Sequence, residues 1–257
     1  MDWQVTRLLV FLCFCLTADA SDKVVESVVS ALDSGPSCSS SVALQNLGDR
    51  PVTVAMEAHK ASGALVPFVG HPAIAVLLEA GERLRYKLAL EDGSAGAWVM
   101  VRETILAPGV SPVVAVSGTT ECVTGNQLRT AGRDVAYPSR NPWFSGDVAE
   151  LPGGVVSLIN ATDQAARASA CYSSGVFYSG PHPSTELTPV CSTVLDVQVP
   201  PFGSRRFPVE REGNSHFSLK TAGSAIVLQM LRPVPANVRM YRVDSTIQFG
   251  SEVPQSK

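Results

Sequence analysis

The sequence predicts an all-β protein: two tandem antiparallel β-sandwich domains that arose by internal duplication. Three observations predict it. The first is a repeated text. Residues 41–46 read SVALQN and residues 155–160 read VVSLIN, and each Asn is followed three residues later by an Asp, Asp49 and Asp163. Further on, IAVLLEAGERLRYKL (74–88) matches LDVQVPPFGSRRFPV (195–209), with Gly81 placed over Gly203. AWVMVRETI (97–105) matches AIVLQMLRP (225–233), and PVVAVSGTTECV (112–123) matches NVRMYRVDSTIQF (237–249). A repeat of roughly a hundred residues has the size of a domain, whereas solenoid units run about 20–50 residues. The second observation is period-two alternation of apolar and polar residues, the mark of half-buried strands. The third is the regular spacing of turn residues, about every 8–12 positions, which favours a sandwich over longer elements.

The elements follow in order. Residues 1–20 are expected to be a signal peptide. Arg7 is the charge of its first region, LLVFLCFCL (8–16) is its apolar run, and Ala18-Asp19-Ala20 offers small residues at the two positions a signal peptidase reads. The apolar run is about half of the ~20 residues a membrane-spanning helix needs. No later stretch is long enough either, so no membrane span is expected in the mature chain. Residues 21–37 are predicted to be an N-terminal arm or short helix. Asp22 stands before KVVESVVSAL, in which Val24, Val25, Val28, Val29 and Leu32 share one face at helical spacing, and Gly35-Pro36 ends the run. A short helix or strand packed on its own first domain is the expected form of this arm, and docking on a neighbouring copy the alternative.

Domain 1 is placed at 38–123. VTVAMEAH puts Val52, Val54, Met56 and Ala58 on one face, and the run after Gly81 puts Leu84, Tyr86, Leu88 and Leu90 on one face. Residues 124–154 form an inter-domain segment and the first strand of domain 2. Their aromatic and apolar residues Tyr137, Trp143, Phe144 and Leu151 are expected to pack at the domain junction, with an aromatic ligand platform as the alternative. Domain 2 is placed at 155–257. It differs mainly by a longer connection, 175–192, which holds Tyr178, His182 and Glu186.

Two of the six cysteines lie in the leader, leaving Cys38, Cys122, Cys171 and Cys191. Four cysteines allow three pairings. Placement within the repeats selects Cys38–Cys122 and Cys171–Cys191, worth roughly 4–5 and 3 kcal/mol on the loop-entropy account.

The strand order, with its Asn-containing strand, polar turn and glycine-marked hairpin, resembles the bacterial immunoglobulin-like β-sandwich modules of secreted and surface proteins. The resemblance is carried in the second copy by Leu158, Asn160, Asp163, Val197, Val199, Pro201, Gly203, Phe207, Val209, Gly223 and residues 226–228. In the first it is carried by Leu44, Asn46, Asp49, Val76, Leu78, Gly81, Tyr86, Leu88, Gly96 and residues 99–101, with Ala80 where the second copy has Pro201. The Cys…Trp…Cys spacing of antibody domains is missing. The resemblance implies a scaffolding, adhesive or carbohydrate-proximal role, and no particular ligand.

The chain has 257 residues, 45% hydrophobic and 17% charged, with net charge -3, and it lacks the basic runs that track nucleic-acid phosphates. The histidines His59, His71, His182 and His216 never fall within four residues of one another, so no local metal-binding pair exists. His59 and His71 are expected to be solvated turn residues. No G-x-S-x-G is present, and the KTAG at 220–223 has no S-x-x-K before it. Arg205 and Arg206 suit an edge-protecting charge. Asn160-Ala161-Thr162 is a glycosylation sequon, but Asn46 shares its place without one, so a structural role in the turn is expected.

No catalytic residue, metal ligand or cofactor is predicted. The expected function is that of a secreted or periplasmic/extracellular, non-enzymatic structural or adhesive interaction protein of the cell envelope or extracellular matrix. Its partner would be another protein or a second copy, met through edge strands or the N-terminal arm. A carbohydrate-binding accessory module taking polysaccharide is the alternative, and a secreted hydrolase the third reading. The residues singled out for interaction are Tyr137, Trp143, Phe144, Tyr178 and His182.

Overall fold

A computed structural model describes residues 23–33, 37–71, 73–91, 96–105, 112–124, 127–133, 135–138, 143–148, 155–174, 193–208, 215–221, 226–233 and 241–247. These residues are all-β, in antiparallel sheets, with no helix among them.

The first half begins with Lys23–Leu32 (β1), Cys38–Asn46 (β2), Val52–His59 (β3), Leu65–Val66 (β4), Ile74–Leu78 (β5) and Arg83–Lys87 (β6). Ala97–Ile105 (β7), Val114–Thr124 (β8), Gln127–Arg133 (β9) and Val135–Ala136 (β10) complete it. One sheet runs β10-β1-β7-β3-β4, with β5 also on β3, and the other runs β6-β2-β8-β9. Both sheets feed one apolar core. Val29 and Leu32 from β1, Val54, Met56 and Ala58 from β3, and Val99 and Val101 from β7 meet Val42 and Leu44 from β2. Leu84, Tyr86, Val114 and Val116 pack against that core from the second sheet. The alternation in VTVAMEAH maps directly onto it, because a period-two pattern buries one face of a strand.

Of the two forms expected for KVVESVVSAL, the strand is the one it takes. It pairs antiparallel with β7 from Lys23↔Ile105 to Leu32↔Ala97. Its valines are β-branched, which favours the strand, and from Ser27 to Leu32 both of its faces are covered. Val28 points to the junction between the halves while Val29 points into the first core. An irregularity between Val29 and Leu32, with Ala31 at φ 57, turns Leu32 back to the same core as Val29.

The second half contains Trp143–Val148 (β11), Val155–Asn160 (β12), Ala166–Ser174 (β13), Thr193–Val199 (β14), Ser204–Pro208 (β15), Ser215–Thr221 (β16), Ile226–Pro233 (β17) and Tyr241–Ile247 (β18). Its sheets run β11-β16-β13-β14 and β15-β12-β17-β18. Place by place this is the order β1-β7-β3-β5 and β6-β2-β8-β9 of the first half. The pairing corrects the sequence alignment by one strand. By sequence the β17 segment matches β7, but it pairs with β12 as β8 pairs with β2, and β16 takes the place of β7. Short apolar strands read alike, and the partner distinguishes them. Asn46 sits opposite Val114, the first residue of β8, and Asn160 opposite Ile226, the first residue of β17.

The two asparagines hold their turns with the same bonds. The buried Asn46 amide donates to the carbonyls of Arg50 at 2.7 Å and Leu78 at 3.1 Å, and its oxygen accepts from the Gly48 N–H. Asn160 donates to Gln164 at 2.7 Å and to Pro200 at 3.0 Å, and accepts from the Thr162 N–H. Asn160 is 0% exposed, so the sequon is occupied by the fold.

Cys38 and Cys122 form a disulfide, and they face each other directly on β2 and β8. Cys171 lies on β13 opposite Val194. The proposed bond from Cys171 to Cys191 falls outside the described residues.

Candidate functional site

The most elaborated group of side chains lies where the halves meet. From the first half come Asp33 after β1, His59 at the end of β3, the turn 60–64, and Gly96 and Trp98 at the start of β7. From the second half comes the turn 200–203 with the first residues of β15. Beneath them an apolar cluster joins Val28, Trp98, Met100 and Ala136 to Ile159, Ala161 and Val227, with Phe202 against it.

Trp98 is 0% exposed, and its indole N–H donates to the Phe202 carbonyl at 3.1 Å. The His59 ring lies between two aromatic rings, 4.8 Å from Trp98 and 5.0 Å from Phe202, with interplanar angles of 24° and 15°. These are stacked contacts of the kind worth about 0.5–1.5 kcal/mol beyond area burial. The backbones also meet. The Ser204 N–H donates to the Ala61 carbonyl at 2.9 Å, and the Ser204 hydroxyl donates to the Gly96 carbonyl at 2.9 Å. Gly63 has φ +88, and a Cβ there would lie 2.0 Å from the Pro201 carbonyl oxygen, so no other residue fits.

Charge completes the seam. Arg206 donates to both oxygens of the buried Asp33 carboxylate, at 2.9 and 3.3 Å. Asp33 also accepts from the Gly96 N–H at 2.8 Å. Such a fork combines strength with fixed geometry. Arg206 was expected to guard an edge. It does lie on an outer strand of its sheet, but there it ties the two halves together. Arg205 is exposed.

His59 corrects a second expectation. It is 2% exposed and not a solvated turn residue. Its Nδ1 lies 3.2 Å from the Gly63 carbonyl oxygen. A carbonyl only accepts, so Nδ1 carries the proton and Nε2 is left with its lone pair. Nε2 is buried with no hydrogen-bond partner, 3.8 Å from the Glu57 carboxylate. Burial pushes the His59 pKa below its ordinary value of 6.5. The Gly63 bond and the Glu57 charge pull it back up, while the Arg102 charge adds to the lowering. Arg102 stands between Glu26 and Glu57, 3.1 Å from each carboxylate. Burial would lower the Arg102 pKa, but its bonds to these two carboxylates carry it net upward.

Of the residues singled out from sequence for interaction, Tyr137 is the one whose side chain is among the described residues. Tyr137 directly follows β10 and is 62% exposed, so it is not buried at the junction. Trp143 and Phe144 lie on β11, opposite Lys220 and Leu219 of β16, and their side chains fall outside the described residues. Tyr178, His182 and Leu151 also fall outside them. His71 is exposed. Among the described residues, no three His, Cys, Asp or Glu side chains gather to hold a metal ion, and no helix is long and apolar enough to cross a membrane. Sequence reasoning missed Trp98, Phe202 and Asp33. One signal was available: an aromatic residue inside the turn sequence Pro200-Pro201-Phe202-Gly203, where polar residues are the rule.

Comparisons with family models, with curated proteins and with solved structures find no match to this chain.

Proposed function

We propose that this chain is a secreted or periplasmic/extracellular structural or adhesive component, non-enzymatic, built of two tandem immunoglobulin-like β-sandwiches that arose by duplication. The equal pairing order of the two halves and the shared bonds of Asn46 and Asn160 support the duplication. The disulfide lies between neighbouring strands of one sheet, so the resemblance is to the sandwich architecture and not to the inter-sheet bridge of antibody domains. A disulfide is compatible with an oxidising, exported location.

The seam is the observation that carries the functional reading. Domain pairs move relative to one another by default unless a large apolar interface joins them. Here Trp98, His59 and Phe202, the Asp33–Arg206 pair and the Gly63 approach hold two units at a set angle. A fixed angle suits a protein that spaces or presents surfaces. A strand at a sheet margin, such as β6, is where a partner's strand would add.

The test is to display the chain on beads and measure retention on extracellular matrix, on envelope fractions and on beads bearing the same chain. Retention by at least one of these, lost in a Gly63→Val variant whose halves stay folded, is the expected result. Equal retention of bare beads would sink the reading. The exposed Tyr137 favours polysaccharide as a second partner class, and a glycan array checks it: binding that Tyr137→Ala abolishes would replace the protein-contact reading.

A further inference from the structure

Among the described residues the seam contains one histidine, and it is placed where a charge is least welcome. The neutral His59 ring is satisfied at Nδ1 by the Gly63 carbonyl and covered on both faces by Trp98 and Phe202. A proton has only one place to go, the buried and unbonded Nε2. That nitrogen faces Glu57 Oε2 at 3.8 Å, too far for a hydrogen bond. The same oxygen already accepts from Arg102 Nη1 at 3.1 Å. A new N–H at Nε2 therefore has two ways to be satisfied. It can draw Glu57 away from Arg102, or the ring can leave the stack for water.

We propose that His59 is a proton-operated release for the seam: protonation at Nε2 unseats its ring from between Trp98 and Phe202 and lets the two halves move relative to one another.

The surrounding charges support this direction. Glu57 lies on the same strand as His59 and is the carboxylate in reach. Arg102 on β7 is positive and repels a second cation, and Glu26 on β1 is spent on Arg102. Across the seam, the Arg206 charge is held by Asp33 and adds no free anion there. Stacking of the imidazolium on the two rings works the other way and favours the closed state. Against it stands the desolvation of a 2%-exposed ring, which outweighs the Gly63 bond and the Glu57 charge and lowers the pKa. The seam is thus closed at neutral pH and opens on the acid side.

The test follows two probes in the same intact chain. Proton NMR of the His59 ring reads its protonation, and the indole N–H cross-peak of Trp98, assigned with Trp98→Phe, reads closure of the seam through its bond to Phe202. The expected result is a His59 midpoint below about 6.5, with the Trp98 indole peak moving at the same midpoint. The variant His59→Phe keeps a ring in the stack and cannot titrate, so its Trp98 peak is expected to stay at the neutral-pH position throughout. A Trp98 peak that holds still while His59 takes up its proton overturns the proposal. So does a His59 midpoint above about 6.5, or an unchanged acid transition in His59→Phe. Should that variant fail to fold, the two wild-type midpoints decide the matter by themselves.

Discussion

In the first half the turn 79–82 joins β5 to β6, and in the second half the turn 200–203 joins β14 to β15. Both close with the same backbone bond, Glu82 N–H to the Glu79 carbonyl at 3.0 Å and Gly203 N–H to the Pro200 carbonyl at 2.9 Å. Both are bonded to the turn asparagine of their own half, the first through the Gly81 N–H to the Asn46 carbonyl and the second through the Asn160 amide to the Pro200 carbonyl. Both have a positive φ at the third position, but the residues differ: Gly81 at 74° and Phe202 at 50°. Sequence matching had set Gly81 over Gly203, one position away. The glycine adopts its conformation freely, and nothing lies within 4 Å of where its Cβ would be. A phenylalanine there stores strain of order 1–3 kcal/mol. The strain is offset where the ring stacks on His59 and the Phe202 carbonyl takes the Trp98 indole N–H. One backbone device thus serves as a plain hairpin turn in one half and as the key of an interface in the other.

The comparison is broken most severely at Trp98, which the second turn needs and the first does not. Trp98→Ala is expected to lower the unfolding free energy by about 3–5 kcal/mol, the usual cost of emptying a large aromatic site. Urea titration of the intact chain checks it, and a loss under about 1 kcal/mol would show the seam to be loosely packed. Next come the asparagines, which both turns share. Asn46→Ala and Asn160→Ala each strand buried backbone groups, so each is expected to cost about 1–3 kcal/mol, and the two costs should agree within a factor of about two. A large loss from one and none from the other would argue that the turns are alike in outline only.

The difference between the third positions is sharpened by exchange. Gly81→Ala should cost about 1 kcal/mol from its positive φ alone. Phe202→Gly relieves strain but removes the stack, so a net loss of stability is expected together with a weakened Trp98–His59 contact, read from the Trp98 fluorescence. A gain in stability from Phe202→Gly would mean that the ring contributes less than its strain costs. The smallest expected effect is that of pH on stability. The folded-state pKa of His59 is depressed, so its share of stability is complete above the ordinary value of 6.5 and declines as pH falls through the lower folded value. Denaturation curves across that range, compared with those of His59→Phe, isolate this share.

The strands that face one core were legible in the sequence. Val52, Val54, Met56 and Ala58 alternate because β3 has one buried face, and Leu84, Tyr86 and Leu88 do so for the same reason. The Asn46 and Asn160 pair was legible because an amide that bonds its own turn needs only local chain. The partner of Cys38 was legible because its strands bracket the repeat, and they do pair.

The sequence by itself thus determined the all-β class, the repeating strand text, the turn asparagines and the Cys38–Cys122 link, all of which rest on local pattern or on order along the chain. Only the tertiary structure decided what β1 is, since valines at helical spacing also suit a strand covered on both faces, and whether both faces are covered depends on partners far away in sequence. The tertiary structure likewise decided that His59 is buried, that Arg206 binds Asp33, that Tyr137 is exposed, and that Phe202 and not a glycine takes the positive-φ place. The burial of His59 and the Asp33–Arg206 pair are fixed by what the second half brings against the first. Residues 33 and 206 stand 173 positions apart, and no local pattern records which side chain will arrive across such a distance.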